Sequence, residues 1–292
     1  MTAISSAGHT VESKAPGTRR AGRAPVAKKA QSTKSVRLLS SVAVVVVLLV
    51  IWQIATVVLA QKFFPPPLKI IMNLPSVLLP KKAASLADAP LFADMFASLY
   101  RMVAGFLLGS GAGILGGVLL GWFKPVREYV APIVEFLRSI PATAVLPIFI
   151  LILGLGQGMQ ILFIAWGVMW FVLINTTSAV AEIHPTLRDF CQTFRLSRRK
   201  VLFGVVLPSA SPKIFAGMRI GLTAAMILIV TSEFMGATNG IGYQLIQEQR
   251  RFQILDMWSW MMVIAIAGFI ANSVLEAIET RALRWHAASR RK

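Results

Sequence analysis

Two charged residues stand inside long apolar stretches, and few other residues of this sequence are as well placed to do chemistry. Glu233 lies near the end of the run at about 214–234, and Arg101 near the start of the run at about 99–123. A charge in hydrocarbon is costly, so each needs a partner or an aqueous neighbour. At 1.5 Å per helical residue, Glu233 lies about 30 Å beyond Lys213, and Arg101 about 33 Å before Phe123. The two therefore share a depth, where they either pair and shape a gate or reach headgroups independently. The run at about 159–181 carries Trp166, Met169, Trp170 and Asn175. These are candidate pathway residues, or ordinary lipid- and core-facing ones.

Other chemistry is sparse. Cys191 is the only cysteine, so no internal disulfide forms. His9, His184 and His286 are scattered and give no ligand pair at helical spacing, so neither metal nor cofactor is expected. The sequence has no G-x-x-x-x-G-K-[ST] loop to cradle a nucleotide phosphate. Gly111-x-Gly113-x-x-Gly116 spells the dinucleotide fingerprint, but it sits inside an apolar run with no strand before it.

Those glycines fit a different role. Gly105, Gly109, Gly113, Gly117 and Gly121 recur every four residues and leave a smooth groove on one helix face. In lipid, such a face lets a neighbouring helix approach closely. Hydrophobic residues make up 56% of the chain and charged ones 14%, far from the soluble average. Six apolar segments qualify as spans of roughly 20 residues. They are 38–60, 99–123, 140–153, 159–181, 214–234 and 258–277. The third is short and holds Pro141 and Pro147, so it either extends back through Pro132 or is kinked and shielded by its neighbours. The expected fold is all-α, a six-helix membrane bundle.

The net charge of +18 is distributed as a membrane protein requires. With the N-terminus inside, the inner segments hold 22 basic residues and the outer ones six, with Arg101 and Arg219 within spans. That asymmetry puts both termini in the cytoplasm. No aromatic residues interleave the basic tail, which argues against nucleic acid. Residues 1–37 are rich in Ala, Ser, Lys, Arg and Pro and cannot bury a core, so a disordered tail is expected. Val58-Leu59-Ala60 could serve as a signal cleavage site, and the tail also resembles a transit peptide. However, the basic stretch and the apolar run are too long for a signal peptide, so the first span stays. The remaining parts are an external connection at 61–94, a core at 95–280 and a basic C-terminus at 281–292.

Within that core, the loop at 182–213 is the most patterned segment. Pro185 can open a helix whose apolar face is Leu187, Phe190, Cys191 and Phe194. Ser197 can cap a second helix with Val201, Leu202, Val205 and Val206 on one stripe, stopped by Pro208. Ser211-Pro212 then begins the next span. The two short helices either lie flat on headgroups or dock a cytoplasmic partner.

Taken in order, these blocks resemble the permeases of ATP-binding-cassette importers, in the nitrate/sulfonate/taurine group of the binding-protein-dependent family. The likeness runs through Ser98-Leu99-Tyr100-Arg101, Gly105-Phe106, Leu137-Arg138-Ser139-Ile140-Pro141, Leu146-Pro147 and Gly154-Leu155-Gly156. It continues through 187–208, Gly217-Met218-Arg219, Glu233, Gly236, Gly240 and Gly242, covering about 95–280. Two positions depart from it. Asp189-Phe190-Cys191 stands where Glu-Ala-Ala is usual, and Arg195 stands where a glycine is expected.

The resemblance implies a type I importer permease in a bacterial inner membrane, with no catalytic residue of its own. Two ATPase subunits would dock on Leu187, Asp189, Phe190, Phe194, Arg195, Leu196, Ser197 and Leu202. A periplasmic or lipid-anchored binding protein would deliver substrate, and two copies of the chain would form the pathway. The expected cargo is a sulfonate, taurine or nitrate-like anion. A stand-alone secondary carrier and a membrane-anchored scaffold or sensor are the alternatives. The first lacks ion-coupling residues and an internal repeat, and the second leaves the glycine ladder and Glu233 unexplained.

Overall fold

The computed structural model describes residues 34–59, 62–79, 91–183 and 185–284. The described residues contain helices and no strand. The expected disordered tail lies outside them, apart from Lys34–Arg37, which begin the first helix. In order, the helices are α1 (Lys34–Leu59), α2 (Pro67–Leu78), α3 (Phe96–Trp122), α4 (Lys124–Ser139), α5 (Ala142–Leu153) and α6 (Gln157–Ala181). They continue with α7 (Pro185–Thr193), α8 (Arg198–Val201), α9 (Leu207–Gly236), α10 (Ile241–Arg250) and α11 (Ile254–Ala282). The described residues from Leu49 onward form one unit, and the described residues before it, 34–48, belong to another.

Four continuous helical stretches are long and apolar enough to cross a bilayer: Ala93–Trp122, Gln157–Ala181, Arg198–Gly236 and Ile254–Ala282. The pair α4 and α5 would make a fifth, broken span. Each of the six expected segments falls on a helix. The third both extends back through Pro132 and kinks, because α4 and α5 meet at 91°. Ile140 is extended (φ −73°, ψ 122°), as a residue before proline prefers, and Pro141 cannot donate to α4. The chain shields the kinked segment on one side only: Leu146 of α5 is fully buried in the main core, whereas α4 has no buried residue and Leu151 of α5 is 86% exposed.

The glycine ladder fixes the centre of the fold. A Cβ added at Gly105, Gly109, Gly113, Gly117 or Gly121 would stand 2.4–2.8 Å from α6 atoms, among them the carbonyl of Ala165 and the side chains of Ile164, Thr176 and Val180. The backbones of α3 and α6 therefore pack against each other along the whole ladder. Phe106, Phe163, Val168, Val172, Leu222 and Leu228 knit α3, α6 and α9 into the main core. A second apolar cluster, Ala179, Val180, Val206, Ala210 and Ile214, closes the end bearing the 182–213 loop. A third, around Ile241, Trp260 and Val263, closes the opposite end, where α2 and α10 pack on α11.

The fifth expected span begins earlier than its prolines suggest. Pro208 does not stop a helix, and Pro212 does not start one. Helical backbone runs from Arg198 to Gly236, through a five-residue π-turn at Leu202–Val206. Pro208 directly follows the π-turn, in which the Leu207 N–H donates to the Leu202 carbonyl. Pro212 leaves the Pro208 carbonyl without its usual donor, and the Ser211 hydroxyl donates to that oxygen at 2.7 Å instead.

Candidate functional site

Glu233 and Arg101 meet at the end of the bundle away from the 182–213 loop. Both are almost fully buried, at 1% and 3% exposure. Arg101 Nη1 donates to Glu233 Oε1 at 2.9 Å, and Ser98 Oγ donates to the same oxygen at 2.7 Å. The Gly242 N–H donates to Glu233 Oε2 at 2.8 Å. The carboxylate thus accepts three hydrogen bonds from α3 and from the start of α10, as a buried charge requires.

The guanidinium also reaches the turn after α9. Arg101 Nη1 donates to the Asn239 carbonyl at 3.0 Å, and Nη2 donates to Asn239 Oδ1. Ser98 accepts from the Ile241 N–H at 2.8 Å. Asp94, in the π-turn that leads into α3, accepts from the Gly240 N–H and from Gln244 Nε2, each at 2.7 Å. Gly240 has φ +125°, and a Cβ there would lie 2.4 Å from Glu233 Oε1. Only glycine lets the turn close over the carboxylate. Three elements are thereby latched together by charge-assisted bonds.

Sequence reading found Glu233, Arg101 and the glycines but missed Asp94 and Asn239. Asp94 precedes the apolar run and follows no motif, while Asn239 carries only the weak signal of a short Asn-Gly turn.

The remaining pathway candidates do not converge. Trp166 and Trp170 meet edge-on at 6.0 Å, and Phe149 of α5 extends the row to Trp166 at 6.2 Å. The Met169 carbonyl faces Gly113 of α3. Asn175 packs against Gly217 of α9 and donates to the Phe171 carbonyl at 2.8 Å. These four residues sit on three different seams of α6.

The basic loop folds as two short helices, with different burial from the one expected. Pro185 opens α7, and Cys191 is buried while Phe190 and Phe194 stay exposed, their ring centroids 4.5 Å apart. Cys191 is thus the inward anchor of α7, and Phe190 and Phe194 form an aromatic ledge. Leu187 is exposed and Leu196 half-buried. The Leu196 N–H donates to the Cys191 carbonyl at 3.1 Å, bracketing Arg195 at φ +48°. This is a Schellman-type stop with arginine in the left-handed position that glycine usually fills. Ser197 stands at the N-cap of α8 with extended backbone, but its side chain makes no capping bond. Val201 and Leu202 are half-buried against the second apolar cluster, which includes the buried Val206, so this stripe faces the bundle. The π-turn leaves Phe203 outward instead, 67% exposed.

Residues 105–283 match the family described as binding-protein-dependent transport system inner membrane component. The chain is 30% identical to a candidate aliphatic sulfonates transport permease, SsuC, of Bacillus subtilis, over 82% of this chain and 84% of that protein. It is 31% identical to the taurine transport system permease protein TauC of Escherichia coli, over 82% and 87%. It is 29% identical to the nitrate import permease protein NrtB of Synechococcus elongatus, over 68% and 71%. An inward-facing structure of the MetNI methionine ABC transporter superposes with a TM-score of 0.56 at 21% identity, covering 64% of this chain and 93% of that one.

Proposed function

The chain belongs to the family of binding-protein-dependent transport inner-membrane components, and from that membership we propose how its two ends divide the work. It is the membrane permease subunit of an ATP-driven importer, and ATP hydrolysis resides in a separate chain. Partners of the ATPase and solute-binding kinds follow from the family. The finer reading is that two copies pair, two ATPase subunits dock on the loop, and the cargo is a small sulfonate, taurine or nitrate-like anion. Relatives named for these solutes support that cargo class. Both termini face the cytoplasm in this reading, supported by the basic residues gathered at the loop end.

The observation that carries docking is the Phe190–Phe194 ledge, two exposed rings on a short helix whose other face is anchored through Cys191. An ATPase cleft closing on ATP would move this ledge and, through α8 and the continuous helix beyond it, shift α9 against α6. The latch of Arg101 and Glu233 at the far end of α9 would then open or close the opposite gate.

The test is co-purification with the ATPase of the same importer, followed by uptake in proteoliposomes with the binding protein present. Phe190→Ala and Phe194→Ala should each weaken ATPase retention by about tenfold or more, since a buried Phe contributes about 1.5–3 kcal/mol. Unchanged retention in both variants would assign the ledge to lipid headgroups instead.

A further inference from the structure

A narrow apolar slot of about 370 Å³ runs between α3, α9 and α11. Val103, Phe106, Met226, Ala267, Ala271 and Val274 are among its walls. Its only polar neighbours, Ser98 and Glu233 at one end, are already engaged with each other and with the latch. The α11 helix is the least enclosed of the four spanning stretches, and the slot opens beside it. Along α9 the slot extends from Leu222 to Glu233, about 16 Å, and along α11 from Ile264 to Ile278, about 21 Å. Its walls are aliphatic along nearly all of that length, which matches a hydrocarbon chain in character and reach.

At the loop end, the slot finishes beside a charge. Arg219, one turn below Leu222, reaches Glu279 of α11 with Nη2 at 2.6 Å. Its remaining N–H groups meet no partner among the described residues, and it is about half exposed. A phosphate at that depth would complement it. We propose that the slot holds one acyl chain of a phospholipid whose phosphate is bound by Arg219, wedging α11 apart from α3 beneath the Glu233 latch. The inference needs only a membrane-embedded chain and is independent of cargo, docking and orientation.

The test uses the full chain, delipidated in detergent and titrated with dioleoyl phosphatidylglycerol under native mass spectrometry. Wild type should retain one lipid per chain at saturation. Val103→Trp and Ala271→Leu fill the slot from opposite walls, and each should weaken retention about tenfold or more by excluding several methylenes. Arg219→Gln should weaken it several-fold, and Leu115→Trp, on an exposed face outside the slot, should leave it unchanged. Wild-type retention in both slot-filling variants, with normal melting, would overturn the proposal. So would chains cross-linked to each other through Val274→Cys that retain no lipid, which would give the slot to a second copy. Neither ATP nor uptake enters the readout, so failure here leaves the transport reading intact.

Discussion

Arg101 Nη1 lies 2.9 Å from Glu233 Oε1, joining two helices at positions 132 residues apart in the chain. Ser98 and Gly242 complete the carboxylate's shell, and Asn239 accepts from both terminal nitrogens of the guanidinium. The pair is therefore the hub of a network and more than an isolated bridge. Glu233→Gln or Arg101→Gln alone strands a buried charge, at a cost of about 3–5 kcal/mol. The double variant should recover part of that loss in thermal stability and in uptake at equal membrane levels. Additive losses across the cycle would show that the two side chains are not coupled.

Depth counting located this pair because the rise of a helix is fixed and apolar runs reveal where helices begin. The same reasoning misplaced the start of α9. Pro208 and Pro212 read as boundaries, yet a π-turn and the Ser211 hydroxyl carry the helix through them. The stripe of Val201, Leu202, Val205 and Val206 was legible, but not which way it faced, since burial against α6 and α9 is a tertiary fact. In α7, period alone could not separate Cys191, which faces inward, from Phe190 and Phe194, which face out. The latch was half legible. Its charges stand out against the apolar runs, whereas Asp94 sits just outside one, in a short π-turn with no sequence signature.

Two glycines on one helix should respond in opposite ways. A Cβ at Gly109 would sit 2.4 Å from the Ala165 carbonyl, whereas nothing lies within 4 Å of one at Gly111. Gly109→Ala should lower stability by about 1–3 kcal/mol through overpacking. Gly111→Ala should be neutral or slightly stabilising, because alanine suits a helix better. Thermal unfolding in detergent measures both, and equal effects would contradict the close α3–α6 seam.

Glu248, on α10 outside the spanning helices, gives a pH dependence. Burial pushes its carboxyl above the ordinary value of 4.5; nearby Asp256 pushes the same way and Arg251 opposes. Folding therefore favours the protonated form. The stability it contributes is fully present below the ordinary value and is lost as pH rises through the raised one. Unfolding temperature should fall over that window, and Glu248→Gln should flatten the slope. A Glu248→Gln profile parallel to wild type would rule Glu248 out as the source.

The last prediction concerns Arg195, which holds φ +48° between α7 and α8. A side chain in that conformation costs about 1–2 kcal/mol, a strain that glycine does not carry. The hydrogen bond from the Leu196 N–H to the Cys191 carbonyl fixes the turn whichever residue sits there. Arg195→Gly should thus preserve the Phe190–Phe194 ledge, raise the stability of the loop by about 1 kcal/mol at most, and keep uptake at or above the wild-type rate. The added freedom of glycine in the unfolded chain offsets part of the gain, which sets that ceiling. Arg195→Val should do the reverse, because a β-branched side chain tolerates positive φ poorly. Hydrogen exchange of the α7 amides, read beside uptake, separates two roles for this residue. If Arg195→Gly protects α7 as well as wild type does yet loses uptake, the guanidinium itself contacts the ATPase, and its value to the chain lies in its charge.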